Sequence, residues 1–264
     1  MTGFQDISKL KKLYTQKDII AFRGEFLKKY SIREKSIRDL VLEEIGCIEQ
    51  KNVIDIGCGN CSFLKTLLKK YPNNTCWALD IVDNPNCHCP EINFKSFNGV
   101  DFPDYAIKFD YILLMHMLYH VRSFSSFFQS IKSLGNDTTN IVITTKSAET
   151  LPFLESVYKK VRGTMGCREE QHFCLENGET ILRQYFKEDD FTITKKVLGT
   201  RLYVDNLEDV LKYTFSTHRY SPENQHLSAR GVNGYIQKWV DELDRVKVFE
   251  DKYTEVLFSI VRKK

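Results

Sequence analysis

No stretch of this chain approaches the run of roughly 20 apolar residues that a membrane-spanning helix needs. The opening segment, MTGFQDISKLKKLY, also lacks the apolar centre of a secretory signal. Both absences predict a soluble, cytoplasmic protein with no membrane partner. A concentrated basic stripe is missing too. Net charge is only +3, from 38 basic and 35 acidic residues, and the short basic clusters KLKK, LKKY and VRKK are interleaved with acids in the manner of solvated helix faces. That pattern weighs against a nucleic-acid partner. Internal repeats and low-complexity segments are absent. The eight cysteines do not read as a disulfide framework. Cys58 and Cys61 fall in a Gly-rich turn and Cys76 in an apolar run, where free thiols are ordinary. The one group resembling a metal site, Cys87, His88 and Cys89 in NPNCHCPE, lacks the paired spacing of a zinc finger. It reads as a surface loop, and no metal is expected.

What is present is enough to build a sizeable core, with 42% hydrophobic and 12% aromatic residues in a chain of 264. Residues 4–46 carry apolar positions at helical spacing. Strand candidates then follow at 52–56, 76–81, 93–97, 110–115 and 140–145, alternating with helical CSFLKTLLKKY and SFSSFFQSIKSL. This β-α alternation predicts an α/β fold: a Rossmann-like, mostly parallel sheet with helices on both faces. Beyond residue 150 helical segments dominate, with one strand at FTITKKVLG and a closing strand at YTEVLFSIVRKK. The expected organisation is one domain: N-terminal helices over 1–50, a ligand-binding core over 51–150, a helical cap over 151–250 and a closing strand over 251–264.

The most informative stretch is NVIDIGCGNCSFLKTLLKKY, from Asn52 to Tyr71. An apolar strand ends in an acid, passes through two glycines and opens into a helix. Such a turn lets backbone approach a ligand, and the helix start offers unpaired N–H groups to it. A dinucleotide fingerprint would need a third glycine where Ser62 stands. VIDIGCGNC instead resembles the first motif of the class I S-adenosylmethionine (SAM)-dependent methyltransferases, an acid-x-Gly-x-Gly pattern, with Cys61 where a third glycine is common. The resemblance continues along the chain. Asp80 ends the second strand candidate, where a carboxylate can accept both ribose hydroxyls. Asn98 follows the third, where the family often carries Asp, and FDYILLMHMLYHV matches the fourth-strand motif.

The resemblance implies a SAM cofactor, with S-adenosylhomocysteine as product, held by Asp55, Gly57, Cys58, Gly59, Asp80, Ile81, Asn98, Gly99 and Met115. Tyr30 and Arg33 are expected to close over it, Arg33 pairing the cofactor carboxylate. An acid such as Asp55 suits a sulfonium and would not suit a pyrophosphate.

The layout is most similar to small-molecule methyltransferases, with some similarity to histamine N-methyltransferase. In that relative the counterpart of His116 lines the substrate pocket, and a pocket-facing Glu has Glu34 as its counterpart here. His116, Tyr119 and Glu34 are therefore the catalytic candidates. An imidazole with a reference pKa near 6.5 suits proton removal near neutrality. His172 and Phe173, at the entrance of the cap, are candidate substrate contacts. The expected reaction is N- or O-methylation of a small amine, phenol or carboxylate. The rival readings are an RNA methyltransferase and a non-catalytic SAM-binding protein.

Overall fold

The computed structural model describes residues 19–97, 101–163, 172–217, 220–221, 228–246 and 248–263. Its centre is a seven-stranded sheet in the order β3-β2-β1-β4-β5-β7-β6. The strands are β1 (Asn52–Ile56), β2 (Thr75–Asp80), β3 (Ile92–Ser96), β4 (Phe109–Met115), β5 (Gly135–Lys146), β6 (Phe191–Val204) and β7 (Phe249–Arg262). β1 to β5 run parallel, β7 lies antiparallel between β5 and β6, and β6 pairs with β7 in antiparallel register along their whole length. The expected mostly parallel sheet is present.

Eight helices occur among the described residues: α1 (Ile19–Tyr30), α2 (Ile37–Ile45), α3 (Ser62–Lys70), α4 (Phe124–Leu134), α5 (Pro152–Arg162), α6 (Gly178–Tyr185), α7 (Leu207–Ser216) and α8 (Ala229–Leu243). The pleat sends alternate residues to opposite faces. Ile54, Ile56, Ile112, Leu114, Ile141 and Ile143 pack with Phe127, Phe128 and Leu182 of α4 and α6 on one face. Val53, Ala78, Leu113 and Val142 pack with α2 and α3 on the other. Sheet strands buried on both faces have no room for a polar side, and this is why β1 and β4 read as near-continuous apolar runs.

A third cluster stands apart from the sheet. Phe26 of α1, Leu154 and Val157 of α5, Val210 and Tyr213 of α7 and Trp239 of α8 gather with Leu202, Phe249 and Tyr253 at the ends of β6 and β7. α1 thus packs with the helices beyond residue 150. Asp251 of β7 fastens this cluster to the sheet: its two carboxylate oxygens accept from the Phe153 and Leu154 amides, both at 3.1 Å. These are first-turn N–H groups of α5, which have no partner inside the helix.

Candidate active site

The strand order reverses between β1 and β4. In an open α/β sheet the crevice at such a switch point, beyond the carboxyl ends of the strands, is where ligands bind. Three connections meet there: the Gly-rich turn after β1, the loop after β2 and the turn after β4. The Gly-rich turn takes a shape that only glycine adopts cheaply. Gly57 has φ +77°, and a Cβ on it would stand 2.9 Å from Cβ of Met117. Its neighbour Gly59 donates its backbone N–H to Asp80 Oδ2 at 2.8 Å, and Val82 N–H donates to Oδ1 at 2.9 Å. Asp80 therefore locks the two loops together, with lone pairs left on both oxygens.

Register places a second acid beside it. Asp55 pairs with Ala78 across β1 and β2, and Ala78 and Asp80 share a face. Asp55 is fully buried and neither oxygen has a hydrogen-bond partner among the described residues. Burial, then the charge of Asp80, push its carboxyl up to about 7, with Arg38 opposing. Burial raises Asp80 as well, against the pull of its backbone donors. Two buried acids without an ion-pair partner among the described residues, behind a glycine cradle, fit a ligand that carries positive charge and approaches the backbone closely.

One strand over from β1, the expected candidate His116 meets Glu255 of β7, a group that the sequence reading missed. His116 follows β4 with φ +52°, a left-handed conformation uncommon outside glycine. Its Nε2 lies 3.0 Å from Glu255 Oε1, and the other oxygen of Glu255 accepts from Arg33 at 2.6 Å. Glu255 reaches the carboxyl edge because antiparallel β7 pairs it with Lys146, the last residue of β5. Burial alone would raise the Glu255 carboxyl, but the His116 hydrogen bond and the charges of His116 and Arg33 outweigh it and hold the carboxyl below its usual range. With Nε2 turned to a carboxylate, the neutral ring carries its lone pair on Nδ1. That nitrogen is buried and has no partner among the described residues.

Several expected positions are corrected. Arg33, expected to pair a cofactor carboxylate, has one guanidinium nitrogen held by Glu255. Tyr30 does not close over the crevice: it packs on Phe26, and its hydroxyl donates to Asp209 at the start of α7. Glu34 is exposed, and the acid that reaches His116 is Glu255 instead. Phe173 is no lid residue. It is fully buried in the main core against Phe258. His172 stacks on Phe124 and hydrogen-bonds the Val121 carbonyl oxygen at 2.6 Å. Tyr119 is buried in a short 3-10 turn, its ring 4.5 Å from that of His120. Cys58, Ile81 and Met115 flank the crevice at the ends of β1, β2 and β4. Asn98 and Gly99 lie outside the described residues. The expectation of free thiols also fails at one place, because Cys61 and Cys87 are joined as a disulfide.

A family model for a methyltransferase domain matches residues 30–196, more than half of the chain. The chain belongs to the methyltransferase family. It is of the class I, SAM-dependent type, whose sheet and glycine turn are those described above. No curated protein matches it. Among solved structures it is similar to phosphoethanolamine N-methyltransferase 2 of Haemonchus contortus, with phosphomonomethylethanolamine and S-adenosylhomocysteine bound, at TM-score 0.54 and 14% identity. All of this chain is covered there but only 61% of that one, so this methyltransferase spans under two thirds of that relative's length. Coclaurine N-methyltransferase with N-methylheliamine and S-adenosylhomocysteine bound is similar at TM-score 0.53 and 14% identity, covering 98% of this chain and 83% of that one. At such identity the likeness is one of fold. No helix of the described residues in this methyltransferase is long and apolar enough to cross a membrane.

Proposed function

We propose that this methyltransferase transfers the methyl group of SAM to a nitrogen or oxygen of a small molecule, with His116 as the group that meets the acceptor. The observation that carries the reading is the His116 ring, anchored through Nε2 to a buried carboxylate and left with an unpartnered Nδ1 beside the cofactor crevice. When bound, SAM supplies an electrophilic methyl on a positively charged sulfur. Gly57, Gly59 and Asp80 hold the adenosyl and methionyl parts, and Asp55 balances the positive charge. The amide oxygen of Asn98 and the backbone of Gly99 are assigned to the adenine end.

Methyl transfer needs no acid for its leaving group, so the protein's work is alignment, exclusion of water and removal of one acceptor proton. His116 Nδ1 takes that proton from an ammonium, phenol or carboxylic acid. Glu255 stabilises the imidazolium that results, and Arg33 keeps Glu255 ionised and in place. The cluster of α1, α5, α7 and α8 packs on Leu202, Phe249 and Tyr253 at the ends of β6 and β7, the strand that carries Glu255. The two similar structures named above are N-methyltransferases holding small amines, and this supports an amine as the first class to screen.

The test is a screen of amines, phenols and carboxylates for S-adenosylhomocysteine release, followed by His116→Asn on the best acceptor. Loss of a positioned base lowers kcat about 10²–10⁴-fold while affinity for S-adenosylhomocysteine stays within about twofold. Unchanged kcat in the variant would remove His116 from the mechanism.

A further inference from the structure

Three cysteines meet beneath the Gly-rich turn. Cys58 and Cys61 belong to the turn itself, and Cys87 comes from the 3-10 turn Pro85–Cys87 in the loop after β2. Cys61 and Cys87 are bonded across a separation of 26 residues. Cys58 Sγ lies 3.5 Å from Cys61 Sγ and 4.0 Å from Cys87 Sγ. All three are buried. The bond joins the same two loops that Gly59 and Asp80 join by hydrogen bond, so covalent and cofactor-binding chemistry share one hinge. Cys61 also takes φ +56° at the start of α3 and makes no side-chain cap there. Its side chain has been given over to the bond.

We propose that Cys61 and Cys87 are a redox-reversible pair whose disulfide holds the cofactor turn in its binding shape, so that oxidised protein binds adenosyl ligands more tightly than reduced protein. This rests on the reading of the turn as the cofactor site. The step is a two-electron exchange with a low-molecular-weight disulfide. Two Cys–SH groups and RSSR give Cys61–S–S–Cys87 and two RSH, each protein sulfur losing its hydrogen to a departing thiolate. Once reduced, the loop after β2 is tied to the turn only by non-covalent contacts, among them the Gly59–Asp80 hydrogen bond and a weak contact from Cys87 Sγ to the Gly59 carbonyl oxygen at 3.5 Å. Ordering it then costs binding free energy that the disulfide removes in advance. The same three sulfurs lie within 4.8 Å of one another and could meet a soft metal ion. Metal ligation needs thiolates and so competes with the disulfide for the same sulfurs, which the zinc outcome below tests.

The whole chain is equilibrated in glutathione buffers of graded potential. Thiols are labelled with a maleimide after denaturation, and S-adenosylhomocysteine affinity is measured at each potential. Oxidised protein should show six labelled thiols of its eight and bind about five- to fifty-fold more tightly than reduced protein. Cys87→Ser should match reduced wild type in every buffer. Reciprocity requires saturating ligand to make the pair harder to reduce by the same factor, and a tenfold coupling moves the midpoint by about 30 mV. Eight labelled thiols in the most oxidising buffer would overturn the proposal, as would one equivalent of zinc bound to the native protein in place of the disulfide. Equal affinities in the two states, with the disulfide fully formed, would overturn it while leaving the cofactor reading intact. No binding in either state would overturn both.

Discussion

Asp55 is a carboxylate with no hydrogen-bond partner among the described residues, and its pH behaviour follows from that. Its folded pKa of about 7 lies above the ordinary 3.8, with burial the main cause. The folded protein therefore holds the proton more tightly than the unfolded chain does. Stability from this group falls as pH rises from about 4 to about 7 and stays low above that. Asp55→Asn should be the more stable protein at pH 8 by roughly 2–4 kcal/mol, an advantage that urea melts at pH 4 would find gone. A cationic ligand favours the ionised form, so SAM affinity of the wild type should rise about tenfold between pH 6 and pH 8. Calorimetry showing a flat wild-type profile would separate Asp55 from the cofactor. Glu255 has the opposite sign. Its lowered pKa contributes stability above the unfolded value that is lost as pH falls through the folded one. Acting through His116, it is a positioning residue. Glu255→Gln should cut kcat on the order of tenfold to a hundredfold and shift the acidic limb of the pH–rate profile. A merely structural role would leave that limb in place.

At the scale of elements, the parallel strands announced themselves because burial on both faces makes them short, apolar and β-branched. The expected 52–56 strand coincides with β1, and the four that follow it fall within a residue or two of β2 to β5 except at the early start of β5. β6 and β7 run longer than their sequence cores suggested, because a partner strand supplies hydrogen bonds to residues with little strand pattern of their own. One residue that fastens the cap is marked by no local pattern. Asp251 lies 97 residues from Leu154, whose amide it accepts. Asp251→Ala strips the cap from two first-turn N–H groups of α5, and thermal or urea unfolding should show a loss of about 2 kcal/mol. A loss below about 0.5 kcal/mol would mean that water replaces the carboxylate.

For the whole molecule, cofactor binding and folding are linked. S-adenosylhomocysteine at about 100 times its Kd adds roughly 2.7 kcal/mol, which raises Tm by about 5–10 °C in a chain of this size. Calorimetric scanning with S-adenosylhomocysteine and with NAD separates the two cofactor classes that the glycine turn left in competition. A rise with NAD alone would contradict the family assignment at the level of the ligand.

The sequence by itself determined the parallel core and marked the glycine turn and strand-end acids that we propose as the cofactor site. Those features are local: a glycine that must take positive φ, an acid at a strand end and a short continuous apolar run are all written within a few adjacent residues. Only the tertiary structure decided what surrounds His116. Glu255 stands in an apolar closing strand, and its inward-facing charge was the one available signal. Its partner Arg33 is 222 residues away, a distance that no spacing rule crosses. The same holds for Cys61 and Cys87, whose pairing depends on two loops meeting beyond the sheet edge. It holds as well for Tyr30 and Phe173, whose aromatic rings fit a pocket or a core equally well until their neighbours are known. Local chemistry is legible along the chain. Long-range pairing is decided by strand order and register, which set what faces what only once the sheet has formed.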